Sequence, residues 1–187
     1  MLYAYLGDIT FNKLAHEYVL ANENKRGNAN FLGTHLPQYL RASQSFTHNP
    51  EIFELASLEV AFNKAFVAPE TSFATGLEFN LAELQTKRIK FVESAQILIF
   101  NQNTTSIWAA LKCQEKPPRP HSLDAPQSVL VWKQRGHSRF RILGEEEANL
   151  FLHFAKKAKS TSQKTEVQRT SNYLRSWLDA ELVASTV

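Results

Sequence analysis

The chain has 187 residues, of which 43% are hydrophobic and 21% are charged. This length and composition suffice for one buried core or two small ones, which excludes a disordered protein. The net charge of +3 is too small to argue for a nucleic-acid partner, and the single cysteine, Cys113, excludes both an internal disulfide and a zinc site built on a cysteine pair.

The N-terminal half has the pattern of a helical bundle. Apolar residues recur at helical spacing over 10–21, from Thr34 onward and over 81–87. Polar stretches separate these segments, which is typical of surface loops. The sequence therefore predicts a helical domain over 1–88.

The clearest helix of this half begins at Pro50. Asn49 can cap it, and Pro50 suits the first helical position, where no N–H partner is needed. Its apolar side chains recur at helical spacing, namely Ile52, Leu55, Leu58, Phe62 and Phe66. We expect this helix to lie at the centre of the core.

Near Arg88 the pattern changes from helical spacing to alternation, which predicts a second domain over 89–187. Short strands are expected at Ile89–Val92, Ile97–Phe100 and Ser106–Leu111. The Pro-rich stretch over 114–127 is expected to form an irregular surface connection, because proline cannot donate to a strand ladder.

The strongest strand pattern is a hairpin with Gly136-His137 as a two-residue type II′ loop. That register places Val131 opposite Ile142 and Trp132 opposite Arg141. One face is then apolar, formed by Val129, Val131, Phe140 and Ile142. The other face carries Trp132, Arg139 and Arg141.

Two helices are predicted after the hairpin, over 145–158 and over about 166–183. The last one presents a docking face of Tyr173, Leu174, Trp177, Leu178 and Leu182. The predicted fold class is therefore α+β, with an N-terminal helical bundle followed by a small antiparallel β-sheet and two C-terminal helices in a winged-helix-like arrangement.

The residues give little support for catalysis by this chain alone. The six histidines are scattered without metal-ligand spacing, and there is neither a Gly-rich phosphate loop nor a nucleophile elbow. Cys113 has no visible activating partner, and Glu59 fits a hydrogen-bonded structural acid. We therefore expect no catalytic residue, no metal site and no cofactor in this chain.

Two kinds of binding remain open from the residues. Basic residues gather around the last helix and the linker before it, namely Lys156, Lys157, Lys159, Lys164, Arg169 and Arg175, and they could contact nucleic acid. Alternatively, an edge of the small sheet could accept a peptide as an added strand. Trp132 beside Arg139 and Arg141 would then form a surface for an acidic or mixed peptide, unless Trp132 makes an internal contact under the last helix.

Several short segments form a family pattern. Its first part comprises Gly33, Leu36-Pro37, Tyr39-Leu40, Pro50, Leu55-Ala56, Leu58-Glu59, Ala61 and Ala65-Phe66. Further parts are Phe11, Leu14-Ala15, Tyr18, Ile107-Trp108, Val129-Leu130-Val131-Trp132, Glu145 to Phe154 and Trp177-Leu178. Together they resemble the HvfC-like family, often catalogued as a DNA-binding domain, and within it the MbnC group of methanobactin biosynthesis. Lys133 stands where the family usually has Arg. The chain starts close to the F-x-x-L-A helix, as in the MbnC group.

This resemblance implies a partner, a TIM-barrel multinuclear iron oxygenase of the MbnB type. Together they would convert cysteines of an MbnA-like, Cys-containing precursor peptide to oxazolone and thioamide groups of a copper chelator. The iron would belong to the oxygenase, and this chain would be a required non-catalytic subunit that holds the leader peptide. The expected peptide-binding residues are Ile97, Ile99, Trp108, Trp132, Arg139 and Arg141.

The catalogued name of the family suggests an alternative, a DNA-binding transcriptional regulator, although nucleic acid is not the partner we expect. No apolar run approaches the roughly 20 residues that span a bilayer. The start, MLYAYLGDITFNK, also lacks the basic and apolar regions of a signal peptide. We therefore expect a cytoplasmic protein without a membrane partner.

Overall fold

The structure is a computed structural model that describes residues 1–22, 29–74, 89–155 and 163–185, with the side chains of 29–31 and 163–170 left undescribed. It confirms the predicted α+β class, because the described residues form six α-helices and a small three-stranded sheet. The helix predicted over 81–87 and the domain boundary predicted near Arg88 lie outside the described residues.

The helices are α1 (Leu2–Ala21), α2 (Leu36–Ala42), α3 (Pro50–Val67), α4 (Thr104–Lys112), α5 (Glu145–Ala155) and α6 (Gln163–Asp179). The strands are β1 (Gln96–Gln102), β2 (Ser122–Gln134) and β3 (His137–Leu143), in the sheet order β1-β2-β3. Two short 3₁₀ helices cover Ala29–His35 and Gln44–Phe46.

The chain divides into two compact units. The first unit comprises residues 1–64 and 98–127, and the second comprises 65–97 and 128–187. The first unit has a buried cluster of Leu2, Leu14, Leu40, Ile52, Leu55 and Ala56. The second has a larger cluster around the fully buried Trp177, whose indole contacts the rings of Phe91, Phe151, Phe154 and Tyr173.

Two helices, α3 and α5, start at the residues that the local sequence predicts. Helix α3 begins at Pro50, as its cap sequence predicts, and the side-chain amide of Asn49 donates to Glu51. Helix α5 begins at Glu145. Helix α1 starts earlier than predicted, at Leu2, but Gly7 interrupts its helical dihedrals with φ 73°.

Three predictions between residues 89 and 127 are wrong. Residues Ser106–Leu111 belong to helix α4, where Ile107 is buried and Leu111 packs on the first unit's cluster one turn later. Ile89–Val92 forms no strand, because only Phe91 makes an isolated bridge, to Val183. The irregular connection ends at His121, since β2 already begins at Ser122 and includes Pro126.

The predicted hairpin exists, but its turn lies one residue earlier than predicted. Arg135 and Gly136 occupy the turn with φ of 50° and 75°, which is the type I′ arrangement. Trp132 therefore pairs with Arg139, and Val131 with Phe140, two positions away from the predicted register. A shift of two residues preserves the sides of a strand, so the predicted faces are correct.

Helix α6 ends in a Schellman motif. The N–H of Leu182 donates to Trp177 O at 2.9 Å, and that of Glu181 donates to Leu178 O at 2.9 Å. Glu181 has φ 58°, the left-handed conformation at C′ that usually selects glycine. The helix therefore ends at Asp179 and not at Val183, and the following residues pair with Phe73 and Phe91 through isolated bridges.

Candidate functional site

The second unit has an open groove of about 570 Å³ between the hairpin and α6. The hairpin supplies Trp132, Gln134 and Arg141 to its lining. Helix α6 and the residue after it supply Asn172, Arg175, Ser176, Asp179 and Ala180. We call this feature the α6 groove. Its volume falls in the range of ordinary ligand sites.

Helix α6 presents a polar stripe to this groove. Asn172, Arg175, Ser176 and Asp179 follow the spacing i, i+3, i+4, i+7 and are all exposed. The opposite face holds the buried Leu174 and Trp177, so core packing fixes the rotation of the helix about its axis. At 1.5 Å per residue, the stripe is about 10 Å long.

The floor of the groove comes from alternate residues of β2. Trp132 donates from Nε1 to Ala180 O at 2.8 Å, and Gln134 donates from Nε2 to Asp179 O at 3.2 Å. Both side chains thereby satisfy carbonyl groups at the end of α6, which the helix itself leaves without partners. Trp132 thus makes the internal contact that the sequence left open, and it also lines the groove.

Arg141 is tied into a buried network. It donates to both carboxylate oxygens of Glu147, from Nη1 to Oε2 at 2.9 Å and from Nη2 to Oε1. Glu147 is buried and also accepts the indole N–H of Trp177 at 2.8 Å. Arg141 therefore holds the hairpin against α5 and α6, which leaves the exposed Arg175 as the groove cation better placed to meet a ligand.

The other predicted peptide-binding residues lie elsewhere. Arg139 is exposed on β3 and is not part of the groove lining. Ile97 packs against the core of the second unit. Ile99 is exposed in the first unit, where Trp108 lies on α4 and not on a strand, with its ring centre 5.3 Å from that of Phe62.

Sequence reasoning missed five groove residues, namely Gln134, Asn172, Ser176, Asp179 and Ala180. A signal for three of them was present. The polar residues of α6 recur at helical spacing on the side opposite to the predicted docking face, and a ligand-facing stripe would have the same pattern. The pairing of Gln134 with Asp179 joins residues 45 positions apart and has no local signature.

Two acidic residues of the first unit, Glu54 and Glu59, have structural partners. Glu54 is buried and accepts the N–H groups of Asn101 and Gln102 and the hydroxyl of Thr104. Burial raises the pKa of Glu54 above its ordinary value, and these three donors lower it in part. Glu59 is half-buried, accepts the N–H of Leu2 at 3.2 Å and pairs with the amino group of Met1, in agreement with the predicted hydrogen-bonded acid.

Within the described residues, no group of three or more His, Cys, Asp or Glu side chains could hold a metal ion. No helix in the described ranges has both the length and the apolar character to cross a bilayer. Among the basic residues considered for nucleic acid, only Arg175 has a described side chain.

No model of a known protein family matches the chain, and no curated protein matches it either.

Proposed function

We propose that this chain is the peptide-binding accessory subunit of an iron-dependent oxygenase of the MbnB type. The pair would modify cysteines of a ribosomally made precursor peptide, giving the oxazolone and thioamide groups of a methanobactin-type copper chelator. The α6 groove is the observation that supports peptide binding. The class of enzyme and product rests on the resemblance of the sequence to the HvfC-like family.

The groove offers groups that match a peptide main chain. Gln134 and Asn172 carry amides that both donate and accept, and Ser176 carries a hydroxyl with the same capacity. A stripe about 10 Å long spans about three residues of extended peptide at 3.3 Å per residue. The largely buried indole of Trp132 adds a small apolar contact at the floor of the groove.

The charges in the groove favour a defined peptide orientation. Arg175 lies one helical turn before Asp179, so the two charges occupy successive parts of the stripe. An acidic peptide side chain fits beside Arg175, and a neutral or basic one fits beside Asp179. Because Arg141 is already neutralised by Glu147, Arg175 carries the preference for an acidic residue.

In this role the chain binds and orients the leader peptide and performs no chemical step. The iron, when bound in the partner subunit, supplies the oxidation of cysteine by dioxygen. Addition of the leader as a further strand at an edge of the sheet stays a prediction, and β1 and β3 form the two edges of the described sheet.

Co-expression with a candidate oxygenase and its Cys-containing peptide tests the proposal. Size exclusion should give a stable heterodimer, and the mass of the peptide should change only when this chain is present. If the chain elutes alone and shifts duplex DNA at physiological salt, the regulator alternative replaces the proposal.

A single substitution tests the groove itself. Arg175→Ala should weaken binding of a fluorescently labelled leader peptide by about three- to thirtyfold, since it removes an exposed charge contact without disturbing the core. Anisotropy titration measures the change. Arg139→Ala is the matched control, because it removes an exposed cation outside the groove.

The two outcomes separate the two surfaces. Weaker binding in Arg175→Ala alone places the peptide in the α6 groove. Weaker binding in Arg139→Ala alone would place it along β3 instead and contradict the groove. Alanine at Trp132 or Arg141 is less informative, because these side chains also hold the end of α6 or the buried Glu147.

A further inference from the structure

The second unit contains another cavity, of about 140 Å³, that shares no lining residue with the α6 groove. Its lining includes Glu70, Phe73, Val92, Ser94, Lys133 and Arg135. The volume is close to that of an apolar cavity that accommodates a benzene ring, roughly 150 Å³. A small ligand therefore fits, whereas a folded partner does not.

Lys133 is the central charged group of this cavity. Its side chain is only 14% exposed, and Nζ donates to Ala68 O at 3.0 Å. The ammonium lies 2.6 Å from Oε1 of Glu70, whose side chain is 82% exposed. A largely buried cation is thus neutralised by a surface carboxylate, which loses side-chain entropy when it is held in place. An external carboxylate could supply the same charge.

The second ion pair at the cavity is self-contained. Glu181 accepts the backbone N–H of Arg135 and its Nε, each at 3.2 Å. The Glu181 side chain is largely buried, whereas that of Arg135 faces solvent. Arg135 is held by a largely buried carboxylate, whereas the carboxylate on Lys133 lies at the surface and can be replaced. Lys133 is therefore the cation that an added anion would meet.

The remaining walls combine a hydroxyl with apolar surface. Ser94 accepts the backbone N–H of Lys133 at 3.2 Å, so its own O–H can donate to a ligand. Phe73 exposes about half of its side chain, and its backbone is fixed by the bridge to Ala184. Val92 is buried beside the cavity. This combination suits an anion that carries an apolar body.

We infer that this cavity binds a small organic carboxylate with an aromatic or branched apolar body. The ligand's carboxylate replaces that of Glu70 on Lys133 and accepts a hydrogen bond from Ser94, and its body packs on Phe73 and Val92. Glu70 then acts as a resident competitor for Lys133 when no ligand is present. The inference does not depend on the proposed peptide function.

Titration of the full chain with benzoate, followed by amide chemical shifts in NMR spectra, tests this site. Benzoate should produce saturable shifts at Phe73, Ser94 and Lys133, and the neutral isostere benzamide should not. Glu70→Gln should raise the affinity for benzoate about three- to tenfold, because the competing charge is removed. Glu93→Gln is the matched control, since it removes an exposed carboxylate outside the cavity lining and should leave the affinity unchanged.

Lys133→Met should abolish benzoate binding. If Lys133→Met fails to fold, the affinity of Glu70→Gln for benzoate tests the inference instead. Equal affinity in the wild type, Glu70→Gln and Glu93→Gln would overturn the inference. Benzamide binding as tightly as benzoate would also overturn it, since no cation would then be needed. Inorganic phosphate binding as tightly as benzoate would overturn the assignment of an organic ligand.

Discussion

Glu54 in the first unit and Glu147 in the second are both buried carboxylates that join separate elements, but their charges are compensated differently. Glu54 of α3 accepts the N–H of Asn101 at 2.6 Å, that of Gln102 at 3.2 Å and the hydroxyl of Thr104 at 2.6 Å. Glu147 of α5 instead meets the guanidinium of Arg141 and the indole N–H of Trp177.

This difference determines how each unit can be disturbed. Neutral donors leave the net charge of Glu54 uncompensated, so burial raises its pKa and the junction of α3 with α4 becomes sensitive to protons. At Glu147 the counter-charge comes from a side chain of β3, so the junction of the hairpin with α5 depends on that side chain. A change of pH tests the first unit, and a truncation tests the second.

Arg141→Ala should have the largest effect on stability. It leaves Glu147 buried with only the indole N–H as a partner, at a cost of about 2–4 kcal/mol in the free energy of unfolding. The estimate lies below that for a fully buried pair because the Arg141 side chain is 30% exposed. Urea unfolding followed by tryptophan fluorescence measures it.

The double variant Arg141→Met with Glu147→Leu is the control. It removes both charges and fills the space with apolar groups, so it should recover part of the loss, though the indole N–H of Trp177 stays unpaired. If the single variant Arg141→Ala loses less than about 0.5 kcal/mol, water already solvates the Glu147 carboxylate and the ion pair adds little.

Glu54→Gln should have an intermediate effect, a loss of about 1–3 kcal/mol. The glutamine amide keeps one acceptor oxygen. Its N–H₂ group replaces the other oxygen and faces a group that now donates to the carboxylate, so one hydrogen bond is lost. Thr104→Val is the milder control, because it removes a single donor and leaves both backbone bonds intact. Urea unfolding should rank the two variants in this order.

The stability difference between the wild type and Glu54→Gln should depend on pH in a defined direction. Because the pKa of Glu54 is raised above 4.5, the folded chain holds this proton more tightly than the unfolded chain. The contribution that protonation of Glu54 makes to the free energy of unfolding is fully present below pH 4.5. It is lost as the pH rises through the pKa of Glu54 in the folded chain. The loss of unfolding free energy in Glu54→Gln relative to the wild type should therefore be larger at pH 4.5 than at about pH 8. A constant deficit over this range would contradict the role given to burial.

The sequence predicts those parts of the fold that local patterns determine. Proline at the first helical position marks the start of α3 at Pro50, and alternation fixes which residues share a face of the hairpin. Helix α4 was missed because its nine residues contain few periodic positions, and because the buried contact of Thr104 with Glu54 at its start joins residues far apart in sequence.

The groove was only partly predictable for a similar reason. Trp132 and Arg141 were identified from their shared strand face, yet their actual partners are Ala180 and Glu147. The turn was misplaced because glycine favours either position of a two-residue loop, and Arg135 adopts a left-handed conformation uncommon for its residue type. Its contact with Glu181, 46 positions away, is invisible to a local pattern.

A final comparison within the second unit concerns the ion pair between Glu181 and Arg135. It differs from the pair between Glu147 and Arg141 because the arginine faces solvent. The Arg135 side chain is 81% exposed, so its ion pair contributes about 0–1 kcal/mol. The left-handed φ of 58° at Glu181 costs a similar amount, on the order of 1 kcal/mol relative to glycine.

Glu181→Gly should therefore leave the free energy of unfolding near the wild-type value, since the lost ion pair and the relieved backbone offset each other. Glu181→Ala loses the pair but keeps the strained backbone, and it should be less stable than Glu181→Gly by about 1 kcal/mol. Urea unfolding of the two variants measures this difference. Equal stability of Glu181→Gly and Glu181→Ala would show that the left-handed backbone costs nothing at this position. A loss of more than about 1 kcal/mol in Glu181→Gly relative to the wild type would show that the contact with Arg135 outweighs the backbone term, and exposure would then not separate the two ion pairs.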